Sequence, residues 1–125
     1  MKTKIIYSGL FALLVSGLLF ISCSKSNSYN PGNNSPSSAT VSIKNMAFNP
    51  ISLSITTGTT VTWVNNDTTA HTVTANDGSF NSGTITAGSK FTQSFSTTGT
   101  FAYHCTLHPE MTGTIVVAKM PAGGY

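Results

Sequence analysis

The chain reads as an all-β protein, a single sandwich or small barrel of short strands, on three observations. Apolar residues recur with period two over several short stretches, the pattern of strands with one buried face. Gly, Pro, Asn and Asp clusters punctuate those stretches at short intervals, as turns must. No segment after Ile21 has helical periodicity, and abundant threonine, favoured on pleated surfaces, fills the positions between the apolar ones.

The strands begin only after about a third of the 125 residues. Lys2 and Lys4 precede an apolar run over residues 5–21, the basic and apolar regions of a secretory signal. The run ends at Phe20-Ile21-Ser22-Cys23, which resembles a bacterial lipobox with phenylalanine in place of the usual leucine. That resemblance implies a lipid on Cys23, which becomes the mature N-terminus. An uncleaved anchor is the rival, since about 17 apolar residues is the lower limit for crossing a bilayer. Either reading puts the domain outside the cytoplasm. Ser, Asn, Pro and Gly dominate the stretch up to Ser38 and cannot build a core, so it is expected to be a flexible tether with an r.m.s. span of about 20 Å. The expected division is a lipoprotein-type signal over 1–22, a tether over 23–38, one domain over 39–119 and a tail over 120–125.

Within the domain the inward positions are expected to be Val41 and Ile43; Ile51, Leu53 and Ile55; Val61 and Trp63; Phe91 and Phe95; Phe101, Tyr103 and Cys105; then Ile115 and Val117. The turns fall at Asn49-Pro50, Thr57-Gly58, Asn65-Asn66-Asp67, Asp77-Gly78, Ala87-Gly88 and Thr98-Gly99. About 80 residues in such strands make one sandwich or small barrel, a size at which burial alone gives marginal stability and a bound metal adds to it.

The formal charge of +3 belongs partly to the signal. Without it, four lysines (25, 44, 90 and 119) face Asp67, Asp77 and Glu110, a net charge of +1. No arginine and no basic cluster occur, so nucleic-acid binding has no electrostatic support. Two cysteines in an exported chain would ordinarily suggest a disulfide. Here Cys23 has a use as a lipid site and Cys105 one as a ligand, so none is expected.

The chemistry concentrates in Tyr103-His104-Cys105-Thr106-Leu107-His108-Pro109-Glu110-Met111. A thiolate, an imidazole and a thioether follow one another at three-residue intervals in a loop between two strands, and His71 completes the set. Two imidazoles, one thiolate and a weak axial thioether are the ligands of a blue-copper electron-transfer site. Alternation turns His104 away from Cys105 and makes it a surface or second-sheet residue; Met46 and Met120 are packing or tail residues. A zinc site on Cys105, His71 and His108 would lack a fourth ligand of the usual kind, because structural zinc rarely takes a thioether. A Cys-His nucleophile would need an orienting group and an oxyanion site that the motif does not supply. Three histidines are too few for a multicopper oxidase. An immunoglobulin-type sandwich, suggested by Trp63 and Tyr103-x-Cys105, would require a second cysteine before Trp63 inside the domain.

Val61-Thr62-Trp63-Val64-Asn65-Asn66, His71-Thr72-Val73 and the loop Cys105-x-x-His108-x-x-Met111 together resemble the cupredoxins, most closely the amicyanin and plastocyanin-like members. The resemblance covers nearly all of the chain after the tether. It implies a Greek-key β-sandwich of seven to eight strands and one copper ion held by His71, Cys105 and His108 in a near-trigonal plane, with Met111 axial. It further implies a non-enzymatic, monomeric one-electron carrier with a redox partner protein and no small-molecule substrate; the alternative on the same ligands is an envelope copper-handling protein. His108 would be the ligand at the solvent edge, with Leu107, Pro109, Met46 and Phe48 as candidates for an apolar docking rim. Two positions depart from the family pattern. Thr72 stands where an asparagine is frequent, and Glu110 stands where an apolar residue is common and would favour a protonated His108.

Overall fold

A computed structural model describes residues 37–123. The expected signal, Cys23 and all but the end of the expected tether lie outside the described residues. Eight strands follow in order: β1 (Ser38–Lys44), β2 (Ala47–Asn49), β3 (Ser52–Thr56), β4 (Thr59–Asn65), β5 (Thr74–Ala75), β6 (Lys90–Phe95), β7 (Gly99–His104) and β8 (Thr112–Ala118). Among the described residues there is no helix. The strands form two four-stranded sheets, β2-β1-β4-β6 and β3-β8-β7-β5, the all-β sandwich that the alternation predicts. Each sheet is mixed: β1 runs parallel to β4 and β3 parallel to β8, the other neighbours being antiparallel.

Register decides which side chains meet. Val41, Trp63 and Phe91 stand opposite one another across β1, β4 and β6 and all point inward. On the facing sheet Leu53, Ile115 and Phe101 form the matching row. Trp63 is fully buried between the layers, with ring centroids 5.7 Å from Phe91, 6.0 Å from Phe80 and 5.6 Å from Tyr103, the last edge to face. Such aromatic contacts add stability beyond the area they bury. Tyr103 pairs across the ladder with Gly113, and its ring lies directly over that glycine. A Cβ at Gly113 would overlap the phenol ring, so the absence of a side chain there is what lets Tyr103 reach the core.

Two expected positions differ. Ile51 precedes β3 and is 67% exposed, so the inward alternation there begins only at Leu53; the backbone bends at Pro50 and Ile51 and turns that side chain outward, although the Ile51 carbonyl already accepts the Thr114 N–H of β8. Phe48 is buried edge-on against Tyr103 at 4.8 Å and contributes to the core rather than to any docking rim.

The Tyr103 hydroxyl and the Trp63 Nε1–H are buried without hydrogen-bond partners. Burial pushes the Tyr103 phenol up to about 12 from an ordinary 10.0; the nearby Trp63 indole N–H, outside hydrogen-bonding geometry, opposes the rise only in part. Because the folded value lies above the unfolded one, this contribution to stability is fully present below pH 10 and is lost as pH rises toward 12. Tyr103→Phe is therefore expected to leave thermal stability at pH 7 unchanged or slightly raised, since it removes an unpartnered hydroxyl, and to flatten the alkaline fall in melting temperature. Gly113→Ala should destabilise the domain by about 1–3 kcal/mol through overpacking, read as a lower urea midpoint.

Candidate metal centre

Phe101, Tyr103 and Cys105 share one face of β7 and its continuation, so the thiol occupies the inward position just past the end of the strand. The segment from Cys105 to Met111 closes on itself. The Cys105 amide donates to the Met111 carbonyl (3.0 Å), His108 N–H to the Cys105 carbonyl (3.3 Å) and Met111 N–H to the His108 carbonyl (2.9 Å). The β7–β8 ladder thus extends one step beyond the pair His104–Thr112 before the loop opens. Met111 is buried at the foot of the loop, Cys105 is fully buried and His108 is half-buried.

His71 arrives from the other side. It lies on the segment after β4 rather than on a strand, and an isolated bridge to Ile85 fixes it. Its N–H donates to the Ile85 carbonyl (3.1 Å) and its carbonyl accepts from the Ile85 N–H (2.7 Å). The buried Asn65 amide closes the same segment by donating to the carbonyls of Thr69 and Ile85, each at 2.9 Å. His71 is wholly buried.

Three donor atoms converge. The Cys105 Sγ lies 3.8 Å from His71 Nδ1 and 3.6 Å from His108 Nδ1, and all three atoms fall within 4.8 Å of one another. Metal–sulfur and metal–nitrogen bonds of about 2.0–2.3 Å, meeting at tetrahedral to trigonal angles, put sulfur and nitrogen about 3.5–3.8 Å apart. The S···N distances therefore fit one metal ion. Two imidazoles and a thiolate suit copper, zinc or another borderline-to-soft ion, and the Met111 thioether on the same loop tilts the choice toward copper. Among the described residues this is the only such cluster of three.

The expected departure at Thr72 resolves in the geometry. Thr72 N–H donates to Cys105 Sγ (3.3 Å), and the Thr72 hydroxyl accepts the Thr106 N–H (2.8 Å) and lies 3.0 Å from the Thr106 hydroxyl. These bonds continue the β5–β7 pairing, which ends at Thr74–His104, toward the ligand loop. His104 faces away, with Nδ1 2.7 Å from Asn76 Oδ1, and is not part of the cluster. Met46, Leu107 and Pro109 are exposed, and so is Glu110, which makes no side-chain hydrogen bond or ion pair among the described residues.

Sequence reasoning missed Asp67, which it placed only in a turn. Its Oδ2 lies 3.0 Å from His71 Nε2. It also accepts the N–H groups of Asn45 (2.7 Å) and Met46 (3.0 Å). The Met46 amide holds its carboxyl below the ordinary carboxylate value; desolvation opposes this, while the Asn45 amide and His71 add to the lowering. The signal in the sequence was a carboxylate four residues before a candidate ligand, which means little until the loop geometry is known.

A family model described as a cupredoxin-like domain matches residues 10–117. Among solved structures, a methionine-to-alanine variant of amicyanin in its Cu(I) form is 29% identical, over 65% of this chain and 82% of that one, with a TM-score of 0.61. A purple cupredoxin from Nitrosopumilus maritimus is 30% identical over 64% of this chain and 99% of its own, with a TM-score of 0.59. A copper-containing nitrite reductase from Thermus scotoductus is 28% identical over 66% of this chain but only 22% of its own, with a TM-score of 0.62. No curated protein matches.

Thr72→Val should cost about 1–3 kcal/mol, because it leaves the Thr106 amide without its acceptor. Thr72→Ser should cost less. Urea unfolding of the metal-free protein measures both.

Proposed function

Given that the chain belongs to the cupredoxin-like domain family, we propose that it is a blue-copper one-electron carrier of the bacterial cell envelope, with no catalysis of its own. The convergence of two imidazole nitrogens on one buried thiol, at separations that a single ion spans, carries this reading. Copper, when bound, supplies a Cu(II)/Cu(I) couple. His71, Cys105 and His108 would hold it, Cys105 through its thiolate, and Met111 would add a weak thioether that tunes the potential.

The chain's own part is to keep these groups where both oxidation states accept them. His71 cannot swing, because Ile85, Asn65 and Asp67 brace its segment. Cys105 is fixed by the ladder behind it and by the Thr72 amide on its sulfur. Little rearrangement is then needed when the charge changes. His108 is the half-buried ligand, and Leu107, Pro109 and Met46 are exposed apolar candidates for a rim against which a redox partner protein would dock. A lipid on Cys23 would hold the monomeric domain near a membrane, at the end of the 23–38 tether.

Adding Cu(II) to the metal-free protein should produce an intense thiolate-to-copper band that saturates at about one ion per chain and vanishes in Cys105→Ser. A colourless protein, or one that takes zinc in preference, would void the reading. Reversible voltammetry supports a carrier; a bound but electrochemically inert copper would favour copper handling instead. For the anchor, wild-type cells fed labelled palmitate should label the chain and Cys23→Ser should not; equal labelling removes the lipid claim.

A further inference from the structure

We propose that Asp67 is a positioning residue for the metal centre: it fixes His71 as the Nε2–H tautomer and, through its fixed negative charge, holds the reduction potential down. The inference deepens the copper reading above and rests on it.

The tautomer follows from hydrogen-bond bookkeeping. An ionised carboxylate only accepts, so at 3.0 Å the His71 Nε2 must carry the proton. Nδ1 is then left with its lone pair, and Nδ1 is the atom that lies 3.8 Å from Cys105 Sγ. Asp67 is the one hydrogen-bond partner of Nε2 among the described residues, and without it the ring is free to place its proton on the nitrogen that faces the metal site.

The carboxylate is itself held in place. Asn45 and Met46 form the two-residue turn between β1 and β2, both with left-handed backbone, φ 54° and 59°. Asparagine tolerates that conformation, whereas methionine there is strained. The conformation aims two successive N–H groups at one point, an anion-binding nest, and Asp67 fills it with Oδ1 on Asn45 and Oδ2 on Met46. The Asp67 N–H is anchored on Asn65 Oδ1 at 3.0 Å. Charge, loop and ring therefore form one rigid unit, set against an imidazole that is fully buried.

The direction of the effect follows from charge alone. A negative charge close to the ligand favours Cu(II) over Cu(I); the Asp67 side chain is 15% exposed, so water screens it in part, while the ring it touches is fully buried. Glu110, exposed and without an ion pair among the described residues, sits where water screens it.

Voltammetry of the copper-loaded protein tests the proposal on wild type, Asp67→Asn and Asp67→Glu at one neutral pH. Asp67→Asn should move the Cu(II)/Cu(I) equilibrium about tenfold toward Cu(I), a rise of about 59 mV for one electron. Asp67→Glu, which keeps the charge, should recover part of that shift. A blue Asp67→Asn protein with less than about a twofold shift, or one that shifts no more than Asp67→Glu, overturns the electrostatic role. Nitrogen-15 NMR of the copper-free wild-type chain reads the tautomer directly and needs no variant. A His71 Nε2–H is expected; a proton on Nδ1 overturns the positioning role. A wild-type protein that gives no thiolate band on copper addition sinks the copper reading instead, and the tautomer measurement still stands.

Discussion

Thr72 gives its amide proton to Cys105 Sγ and takes the Thr106 amide proton on its hydroxyl. This pair of bonds joins the segment carrying His71 to the loop carrying the other candidate ligands. The two pieces lie more than thirty positions apart in the chain, and regular pairing between β5 and β7 stops at Thr74–His104. Without the join, the histidine side and the thiol side would meet only through side-chain packing, which has far weaker directional preference. A threonine suffices where the family often has an asparagine, because the hydroxyl needs only to accept one N–H at 2.8 Å.

The sandwich below explains why the thiol is where it is. Cys105 is the next inward position after Phe101 and Tyr103, so the alternation that buries the core also delivers the sulfur to the end of the sandwich. Tyr103, two residues earlier, is locked between Trp63, Phe48 and the bare backbone of Gly113. The site inherits the rigidity of that close-packed cluster. The stacked rings leave two buried polar atoms unpartnered, at Trp63 and Tyr103, so packing has been favoured over full hydrogen bonding there.

The period-two pattern exposed β1, β4, β7 and β8 because each has one buried and one wet face. It failed at Ile51, where the backbone bends and the side chain faces solvent although its carbonyl already accepts the Thr114 N–H, and it missed β2 and β5, three and two residues long, which are too short to show a period. Phe48 was a docking-rim candidate through the family resemblance alone; the two-residue turn at Asn45 and Met46 doubles the chain back and turns the ring inward. Cys105 and His108 were legible because a seven-residue loop keeps ligands close in sequence as well as in space. His71 was legible by elimination among three histidines. Asp67 was not, since its partners are at positions 45, 46 and 71 and only folding brings them together.

That placement bears on how so sparsely charged a chain controls its centre. The described domain has only three carboxylates, and they are not equivalent. Asp77 is spent on a local turn through Ser79. Glu110 is next to the ligand loop in sequence but projects into solvent. Asp67 alone touches a candidate ligand, and it is the one whose orientation the backbone dictates through two amides and a neighbouring asparagine. Net charge says little about the field at such a centre, because screening removes whatever is exposed. What remains is set by the few groups that the fold immobilises against the buried ring, and here the fold immobilises one.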